Sequence, residues 1–121
     1  MTAIRELMSA DVRSHGLGRE IAGVQQFEDF YRSFRSAFPR VDVAVEHVVE
    51  FGNEAAYRGH VTVTPRGGGP AHTIEGAGFV RTEEGRIVEG WNYYDFLGLL
   101  VQAGKVHPAT MQGMLEAYAA V

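Results

Sequence analysis

The chain is 121 residues long, 45% apolar and 21% charged, with a formal net charge of -4 and no cysteine. That length supports one hydrophobic core and one domain over residues 1–121. The 11 basic residues are interspersed among 15 acidic ones without a Lys/Arg run, which argues against nucleic acid as a partner. No apolar run approaches the roughly 20 residues that a membrane helix needs, and the N-terminus, with Glu6 and Asp11, lacks a signal-peptide core. Having no cysteine excludes disulfides, thiolate catalysis and cysteine metal sites, and suits a cytoplasmic protein.

Thr2 to Ala10 reads as a short helical piece, with Thr2 as its cap and Ile4, Leu7 and Met8 on one side. Asp11 to His15 is extended and ends at the Gly16 and Gly18 turn signals. Val24 to Phe38 is the clearest helix: Val24, Phe27, Tyr31, Phe34 and Phe38 recur at three- and four-residue spacings, and Pro39 stops it. From Val41 the period changes to two, and the strand runs to Phe51 before a Gly52-Asn53 turn. Ala55 to Thr64 is the returning strand. The Pro65–Pro70 loop is rich in glycine but lacks the Lys or Ser/Thr of a phosphate cradle. His72 to Thr82 and the stretch from Arg86 complete four sequential strands, which predicts an antiparallel meander. Glycines at 59, 76, 78 and 90 inside these strands predict bends or bulges that curl the sheet around a cavity. Pro108 to Val121 is a second amphipathic helix, with Met111, Met114, Leu115 and Tyr118 on one face. Helices at both ends and strands between them make the class α+β.

The most informative stretch is Arg86 to Gln102. Period two puts Ile87, Glu89, Trp91, Tyr93 and Asp95 on one face. If that face is the cavity wall, Asp95 is a carboxyl on an apolar floor, where burial raises its pKa toward the range useful for proton transfer. The alternative is an edge Asp that caps the following Phe96–Gln102 turn and meets water. On an earlier strand, Tyr57, Gly59 and Val61 oppose Arg58, His60 and Thr62, and the pattern does not say which set faces inward. His47, His72 and His107 share no metal-site spacing with each other or with a carboxylate pair, so no metal is expected.

Three stretches together resemble the SnoaL-like branch of the nuclear transport factor 2-like superfamily. They are G-R-E followed by F-E-D-F-Y-R-S-F-R-S-A-F-P, then V-E-H-V-V-E-F-G-N, then G-R-I-V-E-G-W-N-Y-Y-D-F-L-G-L-L-V-Q-A-G. The resemblance covers roughly residues 4 to 104 and implies a curved antiparallel sheet forming a cone closed by helices. It implies cofactor-free acid/base chemistry of the cyclase or isomerase kind on an apolar or aromatic carbonyl compound, or else a non-catalytic binding or dimerisation domain, and a homodimer in each case. Asp95 matches the acid/base Asp of the family's polyketide cyclases. His15 matches a His that points into the cavity, the competing view being a structural His that caps the Gly16–Gly18 turn. Trp91 and Tyr93 would then form the walls, unless they are plain core filling. Tyr57, Phe27 and Tyr31 would add substrate contacts, with His60 a secondary candidate set against a surface position. Two departures stand out. The family's long first helix is missing, and Pro108–Val121 resembles it, which suggests replacement by circular permutation or by exchange between subunits. Gly78 stands where the family often carries Asp or His, which implies a lost catalytic partner or an enlarged cavity.

Overall fold

The computed structural model describes residues 2–119, with Thr2 and Met111 described by backbone alone. The expected cap at Thr2, the packing of Met111 and the end of the expected Pro108–Val121 helix therefore lie outside the described residues. The elements are α1 (Thr2–Leu7), β1 (Met8–His15), β2 (Ile21–Ala22), α2 (Val24–Ala37), β3 (Arg40–Phe51), β4 (Glu54–Thr64), β5 (His72–Glu83), β6 (Arg86–Tyr94), α3 (Phe96–Gln102) and α4 (Thr110–Ala119).

The six strands form one curved, unclosed sheet in the order β2-β1-β6-β5-β4-β3. The meander from β3 to β6 is antiparallel throughout, as the hairpin-length turns require. The sheet as a whole is mixed, because β1 lies parallel to β6 and pairs His15 with Trp91. β5 occupies one edge of β6, so the other edge is free for a strand that arrives from the start of the chain. The same pairing shortens the first helix relative to expectation. Met8 already pairs with Ile87, so helix gives way to strand after Leu7.

The inner face of the sheet carries Val61, Val63 and Ile74, which with Leu99 of α3 make a small dry core. Each such side chain contributes about 1.5–3 kcal/mol of burial. Helix α2 lies over this face. Its Phe34 and Phe38 pack at the core margin, yet the aromatic stripe is only half-buried because it lines a cavity rather than a filled core. A partly buried ion pair from Arg5 to Glu28, itself 5% exposed, ties α1 to α2.

Helix α4 departs from expectation. Its described side chains are exposed, including Met114, Leu115 and Tyr118. The packing of α1 is on β1, α2 and β6. With its described side chains exposed, the C-terminal helix does not pack in the place of a first helix within its own chain.

Candidate functional site

The curvature of the sheet and the α2 stripe enclose an apolar cavity of about 180 Å³. Phe27, Phe30, Tyr31 and Phe34 of α2 face Val41, Val43, Val61 and Ile74 across it, and Asn92 and Tyr94 of β6 close one wall. No lining residue is acidic. The Tyr94 hydroxyl meets that of Tyr57 at 2.9 Å. Burial, and then the bond to Tyr57, hold the Tyr94 phenol well above its ordinary value, so it is a proton donor at any physiological pH. Asn92 donates to Ser14 Oγ at 2.9 Å and to the His15 carbonyl at 2.8 Å, which fixes its amide and joins β1 to the cavity wall.

Glycines make these rings fit. A Cβ on Gly78 would lie 2.6 Å from the Tyr57 ring, and one on Gly76 would lie 1.9 Å from the Tyr94 ring. The expectation that Gly78 enlarges the cavity is corrected accordingly, because the Tyr57 ring occupies that space. Tyr57, Gly59 and Val61 form the inward set of β4. His60 faces outward, where Glu46 bonds its Nδ1 and Glu75 lies 3.5 Å from its Nε2.

Of the other expected site residues, Phe27 and Tyr31 line the cavity, whereas Trp91, Tyr93 and His15 lie on the outer face of the sheet. Tyr93 is 60% exposed and meets Phe79 edge-on. Asp95 is exposed and stands just beyond the strand at φ -78, ψ 69, so the period-two alternation ends before reaching it. Its carboxylate accepts from Gly98 N at 2.8 Å and caps α3. The dry apolar floor expected around Asp95 is therefore corrected to a solvated cap, a position that Gly98 permits by having no side chain.

His15 and Asp95 are not brought together. The His15 ring stacks on Trp91 at 5.5 Å, its Nε2 lies 2.7 Å from Glu89, and its Nδ1 meets Glu20. Arg81 reaches the other Glu89 oxygen at 3.1 Å. The bond to Glu89, reinforced by Glu20, holds the His15 pKa above its ordinary 6.5. His15, and then Arg81, hold Glu89 below its ordinary 4.5. A raised folded-state pKa stabilises fully below the unfolded value and fades as pH climbs past the folded one; a lowered carboxylate pKa does the reverse. The pair therefore supports the fold most between about pH 4.5 and 6.5. Melting temperature is expected to fall from pH 6 to pH 8, and a His15→Gln variant to lose that slope. A slope retained in the variant would assign the pH dependence to other groups.

Sequence reasoning missed Tyr94 and Asn92. A signal was present, since Gly90 shares their parity in β6, and small residues collect on the crowded inner side of a curled sheet. Among the described residues no three His, Cys, Asp or Glu side chains are grouped to hold a metal ion, and no helix is long and apolar enough to cross a membrane.

An open α+β cone with helices over its concave face and a pocket inside is the nuclear transport factor 2-like architecture. The chain belongs to the SnoaL-like domain family, whose match covers residues 1–90 and stops short of Trp91 and Asp95. Among solved structures it is similar to a candidate SnoaL-like polyketide cyclase from Jannaschia sp. CCS1, at 22% identity and TM-score 0.72 over 83% of this chain and 75% of that one. A candidate polyketide cyclase from Bacillus cereus ATCC 10987 shares 21% identity at TM-score 0.76, covering 87% of this chain and 70% of that one. AclR of Streptomyces galilaeus, a candidate hydroxylase, shares 21% identity at TM-score 0.73 over 98% of this chain and 82% of that one. At these identities the likeness shows the fold alone. No curated protein matches the chain.

Proposed function

We propose that this chain binds an apolar, carbonyl-bearing small molecule in the cone. It would act there as a cofactor-free cyclase or isomerase, moving a proton next to the carbonyl as in an intramolecular aldol ring closure. The observation that carries this reading is the Tyr94–Tyr57 hydroxyl pair at the edge of a largely apolar cavity. A phenol kept protonated there donates to the ligand oxygen, and the bond strengthens as negative charge develops on that oxygen. Flat ligand rings would lie against Phe27, Phe30 and Tyr31.

Asp95, directly after Tyr94, is the proton acceptor in this reading, and to act its carboxylate must turn from the α3 cap toward the cavity, whose lining it does not join. Asp95→Asn is the test, because Asn caps a helix as well as Asp does and the fold should be kept. Ligand affinity is expected to persist while proton exchange beside the ligand carbonyl, followed by NMR in deuterated water, falls about 100-fold or more. Undiminished exchange would remove Asp95 from the chemistry. Ligand binding without turnover is the second reading, favoured by the capping position of Asp95 and by a cavity lining free of carboxylates. It expects unchanged affinity and no exchange in either protein.

The proposal includes a cytoplasmic homodimer. Val49, Phe51, Phe79 and Tyr93 gather around one outer hollow and are all more than half exposed. A patch of this kind is commonly covered, and an isologous contact covers it with a second copy of itself. Phe79→Glu is expected to sediment as a monomer where the parent protein sediments as a dimer. A parent protein that is monomeric at all concentrations would dispose of the dimer.

A further inference from the structure

Between the end of α2, the loop at 65–70 and α3 lies a groove of about 860 Å³. It shares Leu17, Phe30, Phe34 and Phe96 with the inner cavity, so it forms the mouth of the cone. Its charge is one-sided. Arg66 and Lys105 line it and no Asp or Glu does, in a chain with 15 acidic residues.

Arg66 is anchored by its backbone N–H to the Ala37 carbonyl at 3.0 Å and by its Nε to the Ser36 carbonyl at 2.6 Å. That leaves its two terminal nitrogens for a bidentate contact, which suits a carboxylate. His72 lies on the inner face of β5 opposite Val63 and is 8% exposed. No hydrogen bond among the described residues engages its ring, and no buried nitrogen is left sealed without a partner, so the ring is reached from the groove. A ligand oxygen entering the groove can therefore take the place of water at this imidazole.

We infer that the mouth recognises the carboxylate of an amphipathic ligand, with Arg66 and Lys105 binding the anion beside His72 and the apolar body of the ligand filling the cone. This inference rests on the cone being a ligand site, and it adds the class of head group.

Calorimetric titration with 2-naphthoate and its neutral analogue 2-naphthamide separates the two ideas, with amide shifts at Val61 and Ile74 reporting entry into the cone. The parent protein is expected to bind naphthoate about ten-fold tighter than naphthamide. The double variant Arg66→Gln, Lys105→Gln is expected to lose that preference and to keep its affinity for naphthamide. Equal affinities in the parent protein, or a preference that survives in the double variant, would overturn the head-group assignment while leaving the cavity reading intact. Failure of both compounds to shift Val61 and Ile74 would overturn both.

Discussion

Gly59→Ala is expected to destabilise the protein by about 3 kcal/mol or more, seen as a large drop in the urea midpoint. The added Cβ would lie 2.0 Å from the Ala44 carbonyl oxygen, 3.0 Å from its carbon and 3.1 Å from Val45 Cα. All three are backbone atoms of β3, so no side chain can swing away to make room. They sit where the β3–β4 register slips between Val45 and His47, and this slip bends the outer strands around the cavity. Gly90→Ala is the control. Its Cβ would find only the Phe79 carbonyl oxygen, at an ordinary 3.9 Å, so the change should stay within about 0.5 kcal/mol of neutral. Equal midpoints for the two variants would mean that β3 does not approach β4 this closely.

Tyr94→Phe is expected to lower kcat about 100-fold while changing KM little, if the hydroxyl pair steadies charge on a ligand oxygen. The ring stays, so the wall of the cavity and the contact over Gly76 are retained. Stability should fall by about 1 kcal/mol, since the Tyr57 hydroxyl loses its partner at 2.9 Å. Tyr57→Phe should have the smaller kinetic effect, because Tyr94 is the one of the two that lines the cavity. A kcat equal to that of the parent protein in Tyr94→Phe would show that the pair is structural only.

Asp95 illustrates how far a local pattern reaches. Counting back from it by twos selected Tyr93 and Trp91 as cavity walls, and the count failed because the strand ends at Tyr94. One residue of helix-cap geometry separates Asp95 from the alternation, and it reverses the assignment of the whole strand. Gly98 was the overlooked local clue, since a carboxylate folded back onto the third residue of a helix needs room there. His15 went astray for a different reason. It was expected to point into the cavity, whereas the parallel register of β1 with β6 stacks it on Trp91 outside.

The sequence by itself determined the main elements and their order, though not the short β2 or the early start of β1 at Met8. The aromatic stripe of α2, the alternation and turns of the meander, and the proline and glycine stops are all properties of neighbours along the chain. The motifs around Phe27–Pro39 and Gly85–Gly104 carried the family as well. Only the tertiary structure decided which side of the sheet is the inside, because alternation defines two faces and is symmetric between them. That choice was made by contacts distant in sequence: Tyr57 lying over Gly78, Tyr94 over Gly76, and α2 lying over Val61 and Ile74. Burying those rings on the concave side left Trp91, Tyr93 and His15 on the other, because one strand cannot turn both of its faces to the same cavity.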